Sequence, residues 1–124
     1  ELVSIIGLNH YRDTTLPPFH KMLEKAQERW RDKTLWLAET SGPPRGWRQT
    51  EWFWWMMAEV RLAQQAGVYL PVFTWAPAIS MYDWVHEERH LHNGIWKIVR
   101  DGKRIPNGHM LKAIELAREY GYLS

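Results

Sequence analysis

The sequence predicts an α/β fold built from three successive βα units. Three short apolar runs, at residues 2–8, 34–38 and 68–75, alternate with segments of helical periodicity. Their starts, near residues 2, 34 and 68, lie 32 and 34 apart, close to the roughly 31 residues per unit of a (β/α)8 barrel of about 250 residues. The runs are hydrophobic throughout instead of alternating, as parallel strands covered on both faces require.

Each element has its own local signature. Residues 2–8, LVSIIGL, are β-branched and aliphatic and stop at Asn9-His10-Tyr11-Arg12-Asp13, then Pro17-Pro18, which reads as a buried strand. From 19 to 31, Phe19, Met22, Leu23, Ala26 and Trp30 recur at spacings of three and four with charges between them, an amphipathic helix. Residues 34–38, TLWLA, form a second strand that runs into a loop from Glu39 to Gly46, where Gly and Pro forbid regular structure. Thr50 is expected to cap a second helix reaching about Gln65; its first half is apolar all round and therefore expected to be buried. Gly67 stands where a left-handed C-terminal residue is wanted. Residues 68–75, VYLPVFTW, form the third strand, with Pro71 withholding one ladder donor. A long segment follows from 76 to 93, then a short extended piece at 94–99 and a turn at Asp101-Gly102. A closing helix at 107–120 carries Met110, Leu111, Ile114, Leu116 and Ala117.

Length and composition bound the function. The 124 residues are single-domain size but about half of a closed barrel. Three parallel strands alone leave two open edges. We therefore expect residues 1–124 to be one segment of a larger (β/α)8 domain, completed by a missing barrel half or by self-association. With 45% apolar and 24% charged residues the chain has a globular balance. No apolar run reaches the eighteen or so residues of a membrane span, and the opening ELVSIIGLNHY lacks the features of a signal peptide. Sixteen Lys and Arg against fourteen Asp and Glu are scattered along the chain, which argues against nucleic acid as a partner. The absence of cysteine excludes disulfides, thiolate zinc sites and a cysteine nucleophile, and fits a reducing, cytoplasmic setting. Nine Trp exceed the needs of an ordinary core; most are assigned to packing, and flat aromatic faces also suit the apolar face of a sugar ring.

Glu39 directly follows the second strand, at the carboxyl end of the sheet where catalytic groups of α/β folds project. Asn9, His10 and Tyr11 stand at the same level of the neighbouring strand, and a phenol or imidazole there can hold the Glu39 carboxylate and keep it ionised. Trp75 ends the third strand and can floor a sugar site or close the rim of the core. His86-Glu87-Glu88-Arg89-His90 matches H-E-x-x-H, in which two His on one helical face bind zinc and the Glu is the general base. That pattern needs a helix, whereas this stretch shows no helical stripe, and the extended motif fails because Trp96 stands where a third His belongs. We read it as a polar loop. A zinc hydrolase through His86, Glu87 and His90, with His92 as third ligand, remains the alternative.

Strands ending in Asn9-His10-Tyr11, Ala38-Glu39-Thr40 and Thr74-Trp75 resemble, in that order, the last three strands of clan A glycoside hydrolases. The likeness is strongest to the family-1-like, β-glucosidase-like enzymes, with N-x-Y, then T/A-E-T/N, then a Trp-bearing strand. Tyr82-Asp83-Trp84, Glu88-Arg89-His90 and Asn93-Gly94-Ile95-Trp96 resemble the loop after the final strand in that family. The resemblance covers nearly the whole chain and implies the C-terminal half of the barrel. It further implies a retaining glycosidase with Glu39 as nucleophile and Tyr11 orienting it. Asn9, His10, Trp75, Asp83, Trp84 and His90 would contact a carbohydrate substrate, without metal or cofactor. The family's acid/base carboxylate lies on its fourth strand, outside these residues. Where the family carries T-E-N-G this chain reads Glu39-Thr40-Ser41-Gly42, and the sugar-binding motif after the last strand is matched poorly, so no particular sugar is implied. A non-catalytic carbohydrate-binding or assembly module that keeps the aromatic mouth is the alternative from another class.

Overall fold

A computed structural model describes residues 3–12, 15–42, 46–82 and 90–123. They gather into two compact units, one of residues up to Thr40 with Trp55–Thr74, the other of Ser41–Trp54 with the residues from Trp75 onward. Among the described residues no helix is long and apolar enough to cross a membrane.

The first unit begins with β1 (Ile5–Asn9), α1 (Phe19–Arg29) and β2 (Thr34–Thr40). β1 and β2 run parallel, and β2 is the middle strand of the sheet β1-β2-β3, where β3 is Val72–Trp75. The amphipathic reading of α1 holds: Phe19, Leu23 and Ala26 are buried, while Met22 and Trp30 are partly so. Leu35 and Leu37 of β2 are buried beside them in the same unit, with Met56, Met57, Val60 and Ala63 of α2 (Gly46–Gln65).

Two expected boundaries are corrected. α2 begins at Gly46, so Thr50 lies inside the helix and does not cap it. Nothing between Gly46 and Thr50 breaks a helix, and Gln49 fills a fully buried position there. β3 begins at Val72 and not at Val68. The Val68 N–H is donated to the Ala63 carbonyl, and the Gly67 N–H to that of Gln64, a Schellman closure of α2 with Gly67 at φ 89°. With Val68 engaged in the helix end and Pro71 lacking an N–H, the ladder starts later. Nor is the first half of α2 buried all round, since Trp55 is 39% exposed.

The second unit contains two ribbons that the sequence did not signal as such. β4 (Met81–Tyr82) pairs antiparallel with β5 (His90–Leu91), and β6 (Trp96–Ile98) with β7 (Arg104–Pro106) around the Asp101-Gly102 turn. α3 (Gly108–Glu119) closes the chain with Met110, Ala113 and Ala117 buried. Asn107 occupies its N-cap without capping it; the amide instead donates to Gln49 Oε1 at 2.9 Å, and Gln49 Nε2 donates to the carbonyl of His92. Buried amides are thus paired with one another, as burial demands.

Candidate active site

The site is built where β1 and β2 end. Pairing runs in step from Ile5 with Thr34 to Leu8 with Leu37, then shifts, so that Asn9 pairs with Glu39 and Ala38 is the extra residue. Parallel partners in register present their side chains on the same face, so this bulge brings Asn9 and Glu39 together. Asn9 Nδ2 donates to Glu39 Oε2 at 3.2 Å, and the Tyr11 hydroxyl donates to the same oxygen at 2.8 Å. The backbone N–H of His10 donates to the Glu39 carbonyl at 2.9 Å, tying the turn to the strand. Glu39 Oε1 accepts no hydrogen bond among the described residues.

Electrostatics follow from this geometry. The Tyr11 phenol is pushed up to about 12 from 10.0, first by partial desolvation, then by its hydrogen bond to Glu39 and the charge of that carboxylate. The phenol therefore stays protonated and remains a donor throughout the neutral range. Two donors on one oxygen fix the orientation of the carboxylate, and among the described residues the second oxygen has no donor.

His10 takes a different place. Its ring is 3% exposed and stacks with Phe19 (centroids 4.7 Å apart, 24° between planes) and with Trp55 (5.9 Å, 19°). Sequence reasoning placed it beside Asn9 and Tyr11 as a group for substrate; the structure buries its imidazole instead. The same unit holds a pair the sequence did not reveal. Glu59 Oε2 accepts the backbone N–H of His20 at 2.9 Å and lies 2.7 Å from its ring Nδ1.

In the second unit Trp75 is buried, donates its indole N–H to the Asn93 carbonyl at 3.1 Å and packs at a tilt on Phe53, with centroids 6.1 Å apart. Gly94 donates its N–H to Ser80 Oγ at 3.1 Å, anchoring the strand-like loop that carries Asn93. Asp83 and Trp84, with His86, Glu87, Glu88 and Arg89 of the H-E-x-x-H stretch, lie outside the described residues. His90 is described only as a backbone member of β5, opposite Tyr82. No group of three or more potential metal ligands is found among the described residues.

No protein-family model matches the chain, and no curated protein matches its sequence. Solved structures do match. A family 1 β-glucosidase from Thermotoga maritima superposes with a TM-score of 0.78 at 15% identity, over 95% of this chain and 35% of that one. β-Glucosidase from the same organism in complex with glucoimidazole, and in complex with noeuromycin, matches with a TM-score of 0.73 at 14% identity, over 91% of this chain and 34% of theirs. At that identity the likeness shows the fold, a glycoside hydrolase-like α/β arrangement. The chain spans about a third of the length of the structures it matches.

Proposed function

We propose that the chain forms the last three βα units of a (β/α)8 retaining glycosidase, with Glu39 as the nucleophile and Tyr11 as the residue that orients it. The observation that carries this reading is the convergence of Asn9 and Tyr11 on a single oxygen of Glu39 at the ends of adjacent strands. Retaining hydrolysis needs this arrangement: the unengaged oxygen attacks the anomeric carbon, a glycosyl ester forms on Glu39, and water then releases the sugar. The reaction also needs a second carboxyl about 5–5.5 Å from the nucleophile to protonate the leaving oxygen. We assign that acid to the part of the barrel beyond these residues.

Support for a larger barrel comes from the coverage of the matched glycosidases and from β1, an edge strand whose Ile5 is 40% exposed beside Val3 at 53%. A parallel edge strand of this kind calls for a further strand and a covering layer. The proposed substrate is a carbohydrate. Trp75, whose indole N–H is committed to the Asn93 carbonyl, and Asp83, Trp84 and His90 are proposed as carbohydrate contacts.

The test is covalent trapping. The complete protein is treated with an activated 2-deoxy-2-fluoro glycoside and digested, and the labelled peptide is identified by mass. The label is expected on Glu39 and absent from Glu39→Gln; a label on any other residue removes the assignment.

A further inference from the structure

We infer that His10 is a positioning residue for the Glu39 site, its buried ring fixing the turn that carries both donors to the carboxylate. The inference rests on the reading of Glu39 and Tyr11 just given and adds to it the burial and stacking of His10.

β1 ends at Asn9, so Tyr11 lies beyond the last residue held by the strand ladder. Its hydroxyl nevertheless stays 2.8 Å from Glu39 Oε2, although the side chain is 43% exposed. Displacement by an ångström would break that bond, and alignment of this order governs how well a reacting group performs. Something other than Tyr11 must hold the turn.

His10 is the residue between the two donors and is the buried one of the three, at 3% exposure against the exposed Asn9 and Tyr11. Its backbone N–H is bonded to the Glu39 carbonyl, and its ring stacks with Phe19, the first residue of α1, and with Trp55 in the middle of α2. The residue is therefore anchored at its backbone to β2 and at its ring to two helices. With the middle residue held at both ends, the residues on either side have little freedom left, and their side chains are delivered to Glu39. The stacking requires a flat ring of this size. Phe can supply one; Ala cannot.

The phenol of Tyr11 reports on its seat beside Glu39, because partial burial there and then its hydrogen bond to that carboxylate and the carboxylate's charge raise its pKa. The experiment follows Tyr11 by NMR of the full chain labelled with 13C-tyrosine, with Tyr11→Phe identifying the resonance. Samples are compared up to about pH 11, where an ordinary phenol with pKa about 10 is mostly ionised. Labelling of Glu39 by the fluoroglycoside is measured on the same samples. In the unaltered protein Tyr11 is expected to stay mostly protonated there. His10→Ala should ionise it as an ordinary phenol and slow labelling by about tenfold or more, while His10→Phe should restore both. A folded His10→Ala protein with a lowered melting temperature but an unchanged Tyr11 titration would overturn the inference.

Should His10→Ala fail to fold, Trp55→Leu decides the matter, since it removes one stacking partner at a position 39% exposed. It should lower the Tyr11 titration, and an unchanged titration again overturns the inference. Failure of the unaltered protein to label at all would sink the glycosidase reading and leave the titration as the judge of His10.

Discussion

Glu59 of α2 holds His20 of α1 by two groups at once, the backbone N–H at 2.9 Å and the ring Nδ1 at 2.7 Å, both on the same carboxylate oxygen. α1 follows Pro18 and has no side-chain cap of its own. A carboxylate from another helix therefore does the work of an N-cap and sits where the helix dipole favours negative charge. Glu59→Ala should lower unfolding free energy by about 1–3 kcal/mol, the cost of orphaning buried donors. Glu59→Gln should cost less, because its amide oxygen still accepts one of the two bonds. Urea unfolding of the two variants checks the order; equal losses would mean that the charge of Glu59, which both variants remove, carries the whole interaction.

Removal of the Tyr11 hydroxyl should slow the reaction proposed for Glu39 without unfolding the protein. Tyr11→Phe forfeits a hydrogen bond to an ionised group, about 1.5 kcal/mol at the low end of the usual range because the pair faces solvent. That corresponds to a roughly tenfold slower formation of the covalent intermediate. Rapid-quench labelling of the variant against the unaltered protein measures it. An unchanged rate would mean that Asn9 alone suffices to orient Glu39.

The same phenol predicts an alkaline weakness. Its pKa is raised to about 12 in the folded chain, against 10.0 for an unperturbed tyrosine. The unfolded chain therefore loses this proton first as pH rises, and its contribution to stability is complete below pH 10 and lost between about 10 and 12. Denaturation midpoints across that window should fall less steeply in Tyr11→Phe than in the unaltered protein. Parallel curves would show that Tyr11 is not linked to folding.

Two glycines should respond to alanine for different reasons. A Cβ on Gly94 would lie 2.2 Å from the Ser80 nitrogen and 2.5 Å from the Ile79 carbonyl carbon. Backbone cannot retreat as a flexible side chain can, so Gly94→Ala should cost about 3 kcal/mol or more. A Cβ on Gly67 meets nothing within 4 Å, and its φ of 89° is the only objection. Gly67→Ala should therefore cost about 1–2 kcal/mol. Thermal unfolding of both variants tests the ranking, and a larger loss at Gly67 would contradict it.

Local pattern made the sheet and helices of this chain legible. Phe19, Leu23 and Ala26 mark α1 by their spacing, and Gly67 marks the end of α2 because the left-handed turn there favours a residue without a side chain. The ribbons were hidden, since strands of two and three residues with Trp96 and Ile98 exposed show no period. At the site, Glu39 and Tyr11 could be singled out because both follow apolar runs. Their convergence on one oxygen depends on a bulge that leaves no mark in composition. The burial of His10 could not be read from the sequence because a polar residue in a polar turn looks exposed, and only the rings of Phe19 and Trp55 reveal why it is buried. His20 and Glu59 are 39 residues apart, so no local window contains both.

The shift at Ala38 has a consequence for how such a site can vary. Side chains along a strand alternate, so the phase of β2 relative to β1 decides which residues of the two meet. Asn9 and Glu39 are in phase because the pairing skips Ala38, the one residue that β2 carries beyond β1 over the same stretch. Were Ala38 to pair in its turn, it would stand opposite Asn9 and Glu39 would face the other side with every side chain still present, whereas deleting Ala38 would leave Asn9 opposite Glu39 in an unbroken register. The chemistry of this corner is thus set by which residue the pairing skips, and closing the bulge with every residue kept would silence it more surely than most substitutions nearby.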